Sequence, residues 1–254
     1  MTTAVLAGPP RYVRVAGRWI NAYKVFLCLG LYVGILASAA AAAAAGWSPL
    51  AEGLACLAYA LLGLVGARAY HVAVNWAAYR RGGLGGIARD TERGGWSLFG
   101  ALVIVPLTFA RETVLGIPVA SFWDHTAVGI ALGGACIRFG CIRNGCCVGR
   151  PSAGWLALRQ HDVYGVSLPR IPVQWMEIGW WLIAALGWLA LRPAPLPAGS
   201  YALGVFAWYG IGRFWLEPLR ESSDLVRDRI RIDRMVAAAL AIVAVTALLR
   251  VARG

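Results

Sequence analysis

Seven stretches of this 254-residue chain are apolar for about the length that crosses a bilayer, and that repetition limits the fold more than any other feature. A hydrocarbon core of about 30 Å needs a helix of about 20 mostly apolar residues. The runs cover residues 23–45, 50–76, 95–115, 122–136, 171–191, 201–219 and 235–251. In lipid each segment must satisfy its own backbone hydrogen bonds, so such runs read as helices. Only 14% of residues are charged, against 59% hydrophobic, too few polar groups to coat a water-soluble surface. The expected fold class is an all-α integral membrane protein, with residues 1–254 as one transmembrane domain of about seven helices. The proline-rich RPAPLPAGS at 192–200 is a turn between the fifth and sixth runs. The opening MTTAVLAGPPRYVRVAGRW is too polar and proline-broken for a signal-peptide core, so no cleavable signal is expected.

The net charge is +12, and Lys24 is the only lysine. The arginines are spread among the apolar runs rather than gathered in a tail, which favours anionic lipid over nucleic acid as partner. Arginines crowd one side: the N-terminal segment and the loops after the second, fourth and sixth runs. Loop counting puts that side in the cytoplasm. The competing reading is that it is the working face, where arginines meet phosphate.

Three arginines sit inside or at the ends of spans: Arg68, Arg138 and Arg213. A charge at membrane depth is costly and tends to face a cavity or a partner. Arg213 and Glu217 are four residues apart, so they share a helical face and can pair, and Arg220 extends that face. Snorkelling to the headgroups is the plain alternative. Three arginines toward one membrane face favour a shared phosphate site, since the planar guanidinium suits phosphate. Around Arg138, Gly133, Gly134, Gly140, Gly145 and Gly149 predict a broken or re-entrant helix whose backbone faces a ligand.

The segment RFGCIRNGCCVGR at 138–150 also holds Cys141, Cys146 and Cys147. C-x4-C-C is not a standard zinc spacing, nor the C-x-x-C of a disulfide oxidoreductase, so no metal and no cofactor is expected. Small-residue packing or a disulfide is the plain reading. Neighbouring arginines favour the thiolate, so Cys146 or Cys147 as a nucleophile is the chemical one.

Taken in order, INAYKVFLCLG, VGARAYHV, GGWSLFGA, GGACIRFGCIRNGCCVGRP, RIPVQWMEIG and YGIGRFWLEPLR resemble the prolipoprotein diacylglyceryl transferase family. The resemblance runs from about Tyr23 to Asp224 and is most specific at 133–151. It implies a bacterial inner-membrane enzyme with a lipid-accessible central cavity, its signature on the outer face. Such an enzyme moves a diacylglyceryl group from phosphatidylglycerol to the lipobox cysteine of a lipoprotein precursor, and glycerol phosphate leaves. By motif match, Arg138 and Arg213 become the phosphate and headgroup arginines. Tyr23, Arg68, Asn144, Gly149, Gln174, Glu177, Tyr209, Glu217 and Arg220 fall on other matched positions.

The departures lie where the family would keep a base. Phe99 and Ile171 stand where the family has histidines, and Cys141 and Cys146 where it has asparagine and glutamate. His71, one turn from Arg68, and Glu217 are then the candidate acid–base groups, with Cys146 as candidate nucleophile and Cys141 on the substrate wall. Two other readings stay open: an altered paralogue that binds phospholipid or uses another thiol acceptor, and a membrane thiol-redox protein.

Overall fold

Long apolar runs become helices here because a helix closes its own backbone hydrogen bonds, and the few polar residues at their ends stop them. The computed structural model describes residues 11–80, 98–101, 104, 106–109, 118–221, 225–226 and 230–253. A short hairpin comes first, β1 (Tyr12–Val15) and β2 (Arg18–Asn21), antiparallel with Tyr12 opposite Asn21. Helix α1 (Ala22–Ala44) follows; its cap Asn21 accepts from the Tyr23 N–H at 2.8 Å. Helix α2 (Pro49–Val74) is capped by Ser48, with proline at its start, where a missing N–H costs nothing. Next come α3 (Val119–Asn144), the hairpin β3 (Leu158–His161) and β4 (Ser167–Arg170), then α4 (Val173–Leu191), α5 (Ser200–Leu216) and α6 (Ile232–Val251). A 3-10 turn, Glu217–Leu219, extends α5, and Leu225–Val226 pairs with Ile230–Arg231 before α6. Most of the expected 95–115 span lies outside the described residues.

Among the described residues, α1, α2, α3 and α6 are long and apolar enough to cross a membrane. Their outward faces carry exposed large apolar side chains, such as Tyr32, Leu61, Val65, Ile242 and Val243, which suit lipid rather than water. This is a multi-pass membrane protein. Helix α5 starts against α3: Asp124 accepts from the N–H groups of Gly199 (2.6 Å) and Ala202 (2.9 Å), a carboxylate at a helix N-terminus. Helices α4 and α5 are joined by two stacked pairs, Trp180 on Trp208 and Trp181 on Tyr209. Each indole of the first pair donates to the other's backbone carbonyl, at 2.9 and 2.8 Å.

The expected break in the helix at the signature does not occur. Helix α3 runs unbroken through Gly133, Gly134 and Gly140 to Asn144. Those glycines serve packing. Gly30 and Gly34 on α1 face Gly133 and Gly129 on α3, both pairs at i, i+4, so the two backbones touch. A Cβ on Gly133 would lie 2.6 Å from the Gly30 carbonyl oxygen. Gly134 and Gly140 likewise leave room for Trp181 and Phe26. The chain turns only at Gly145, whose φ of 71° caps the helix in the left-handed region.

Gly133→Val should therefore force α1 from α3 and destabilise the protein by about 1–3 kcal/mol or more, read as a lower melting temperature in detergent. Gly187→Val on α4, where a Cβ would meet no neighbouring element within 4 Å, should leave the melting temperature unchanged.

Candidate functional site

The helices enclose a cavity of about 840 Å³. Along α3 its wall runs from Phe122 through Ile130 to Cys141, a rise of about 28 Å at 1.5 Å per residue. One end and the middle are apolar, with Leu31, Ile35, Leu64, Phe206 and Leu240 on the wall. The other end is polar and holds Tyr23, Arg138, Tyr209, Arg213, Glu217 and Arg220. The gradient follows from α3: apart from Thr126 its cavity face is apolar or glycine until Arg138, nearly two turns before the helix ends.

Behind the polar end lies an ionic cluster built on Glu177 of α4. Arg138 Nε reaches Glu177 Oε2 at 3.0 Å, and Arg213 Nη1 reaches Oε1 at 3.0 Å. Arg220 Nη2 donates to both oxygens, at 2.6 and 2.8 Å. Arg213 also meets Glu217 at 2.8 Å and Asp233 of α6 at 3.2 Å, and Tyr70 donates to Asp233 at 3.2 Å. Glu177 and Arg213 are both about 6% exposed, whereas Arg138 is 16% exposed, the arginine of the three most open to the cavity. The Nε donors of Arg213 and Arg220 are buried and have no hydrogen-bond partner among the described residues. Carboxylates thus fix the guanidinium planes while leaving donors unspent.

A second set of contacts holds the turn after α3. Asn21 donates to Asn144 at 3.1 Å. Gln174 Nε2 donates to the carbonyls of Cys146 (2.7 Å) and Cys141 (3.3 Å), and its own oxygen accepts from Gln160. Gly149 bridges to Arg220, and its backbone lies too close to Ile171 for a side chain. Arg170, buried, donates to the Gly149 carbonyl at 3.3 Å and pairs with Asp162 and Glu221. These braces bring Cys146 and Cys147 over Cys141, with the three sulfurs within 4.8 Å of one another. All are free thiols. Hydrogen bonds from Cys141 and Cys146, with Arg220 and Arg138 nearby, hold the Cys147 thiol well below the usual range. The same hydrogen-bond sharing and burial push Cys146 up.

Of the residues picked out in the sequence, Tyr23, His71, Arg138, Cys141, Cys146, Tyr209, Arg213, Glu217 and Arg220 line the cavity. Asn144, Gly149, Gln174 and Glu177 stand behind its wall and position what does. Arg68 is not on the wall; its guanidinium sits 5.3 Å over the Tyr79 ring. The arginines that gather are therefore Arg138, Arg213 and Arg220. His125 is apart from them, 3.8 Å from Glu52, and His161 is on β3. Sequence reasoning missed Asp233 and Arg170. Asp233 looks like an ordinary acidic residue in the first turn of the last helix, and only the fold brings it to Arg213.

Fold and site together define a multi-pass membrane protein with a lipid-sized cavity ending in fixed guanidinium groups. The family model for prolipoprotein diacylglyceryl transferase matches residues 10–250. The chain belongs to that family. A phosphatidylglycerol–prolipoprotein diacylglyceryl transferase of Corynebacterium efficiens is 29% identical, over 100% of this chain and 85% of the relative. One of Frankia alni is 30% identical, over 100% of this chain and 69% of the relative. One of Bacillus cytotoxicus is 29% identical over 72% of this chain and 70% of the relative.

Glu177→Gln should leave two buried guanidinium groups and the partly buried Arg138 short of their shared counter-charge, at a cost of about 3–5 kcal/mol. The expected result is a clear fall in melting temperature in detergent, larger than for Glu221→Gln at the half-exposed edge of the same region.

Proposed function

We propose that this membrane transferase moves a diacylglyceryl group from phosphatidylglycerol to the cysteine thiol of a prolipoprotein, with glycerol phosphate as the leaving group. One observation carries the reading: a deep apolar cavity ends at three arginines whose planes are fixed and whose donors are not all used. Two acyl chains fit the apolar length, and the phosphate they carry then reaches Arg138. The acceptor thiolate attacks the glycerol carbon, the carbon–oxygen bond to phosphate breaks, and negative charge grows on the departing phosphate. Preorganised donors in a water-poor site stabilise that charge and need no reorganisation as it forms. Arg138 is placed to make the contact, and Arg213 and Arg220, also on the wall, add positive charge beside it. Tyr23 and Tyr209, also on the wall, orient the headgroup.

The acceptor's proton needs a destination. Glu217 is engaged with Arg213 at 2.8 Å. His71 lines the cavity, with its Nδ1 3.5 Å from the Asn75 amide nitrogen.

On this reading the protein sits in the bacterial inner membrane with the turn at 145–151 on the outer face, where an exported precursor would meet it. The loop arginine count opposes this orientation, but part of that count is not free loop charge. Arg138, Arg170, Arg213 and Arg220 are tied to carboxylates inside the fold, so they weigh little in orientation.

Incubation with labelled phosphatidylglycerol and a lipobox peptide should yield lipid-modified peptide by mass spectrometry. Arg138→Ala should reduce the rate by about 10²–10³, the cost of one lost charge-stabilising donor. Undiminished transfer by both Arg138→Ala and Arg213→Ala would overturn the reading.

A further inference from the structure

The ionic cluster does not account for Cys141, Cys146 and Cys147. Their sulfurs converge at the cavity wall, within 4.8 Å of one another, and none is in a disulfide. The backbone is shaped to this end. Cys141 is on the last turn of α3, and the chain folds back over it through two left-handed residues, Gly145 at φ 71° and Cys147 at φ 60°. For a residue other than glycine that conformation costs about 1–3 kcal/mol. The amide of Gln174 then fixes the carbonyls of Cys141 and Cys146 together.

We propose that these three cysteines bind a zinc-class ion whose fourth position receives the acceptor thiol. The inference rests on the transfer reading above for its purpose, but the site stands on its own geometry. Thiolates are soft ligands that select zinc and similar ions. Zinc held by three protein ligands keeps a fourth position for water or substrate. A zinc–sulfur distance of about 2.3 Å sets tetrahedral sulfurs about 3.8 Å apart, so small side-chain rotations close the observed spread. Among the described residues no His, Asp or Glu joins the cluster as a fourth ligand. Three thiolates around a divalent ion leave a net negative charge, and Arg138, with Nη1 3.6 Å from Cys141 Sγ, offsets it.

The chemistry balances without an oxidant or reductant. The acceptor thiol coordinates and loses its proton to water, as thiols do on binding such an ion. The coordinated sulfur gives its electron pair to the glycerol carbon as the carbon–oxygen bond breaks. That bond's electrons leave on the phosphate, beside Arg138. The product sulfur is a neutral thioether, a weaker ligand, and departs. A nucleophilic role for Cys146 fails by comparison. Lipid attached to Cys146 would be a thioether, whose sulfur is too poor a leaving group to pass the lipid on.

The test begins with the unsubstituted protein in detergent, titrated with Cd²⁺, a zinc surrogate whose thiolate complexes absorb in the ultraviolet. The expected result is one ion per chain, with Cys147, the least buried of the three, protected from maleimide relative to the metal-free protein. A peptide with a single cysteine should then add to the thiolate absorption, and its S-methylated form should not. Both signals should vanish in Cys146→Ser/Cys147→Ser. The proposal is overturned by no stoichiometric binding, by binding that survives the double substitution, or by no response to the thiol peptide. The maleimide map needs no variant, so a misfolded substitution leaves the decision intact. Undiminished lipid transfer by metal-stripped protein would overturn the metal site while leaving the transferase reading standing. Metal and thiol binding with no transfer to a lipobox peptide would defeat the transferase reading, and with it the role given to the ion.

Discussion

A single buried carboxylate, Glu177, organises the polar end of this molecule. It is buried and meets guanidinium groups from α3, from α5 and from the turn beyond α5. Taking these charges out of water is costly, and the cost is recovered only where geometry is close and the remaining donors find partners. Glu217 and Asp233 complete the arrangement around Arg213. Three guanidinium groups thus face three carboxylates, which lets the cluster exist at membrane depth without a net charge to strand there.

That neutrality has a consequence for recognition. A cluster with little net charge exerts a weak long-range field, so an anion must be brought close before it is held. A phosphate delivered by acyl chains already seated in the apolar cavity meets this condition, and a free phosphate in water does not. The arginines would then act by directed hydrogen bonds at short range, where a fixed guanidinium plane is worth more than a mobile charge. Arginines gathered at one end of a greasy cavity would favour a lipid-borne phosphate over a free one.

The sequence carried the helices well where one face decided the matter. Arg213 and Glu217, four residues apart, pair as their spacing implies. The signature was harder to read. A glycine in a helix reads equally as a break or as a contact, and the difference lies in a partner about a hundred residues away. Gly133 packs because Gly30 is opposite, and nothing local to residues 129–145 says so. The helix also outlasts its apolar run, because Glu177 neutralises Arg138 within it. The cysteines were hidden for a related reason. Their linear spacing spans a helix end, and only the turn at Gly145 turns C-x4-C-C into a cluster.

Arg138 and Cys141 are three residues apart on α3, hence neighbours on one face. This places the group that would receive the phosphate's charge beside the group that would receive a thiol, with Arg138 in contact with both Glu177 and Cys141. Displacement at carbon needs the attacking sulfur and the leaving oxygen on opposite sides of one atom, and a rigid helix is well suited to set that span. The turn held by Gln174, Asn144 and Arg170 then serves the same end as the ionic cluster. One would fix where charge leaves and the other where sulfur arrives. A substitution that loosened either brace would misalign the two without removing any group that touches substrate, and misplacement of about 1 Å costs about 10²-fold in rate.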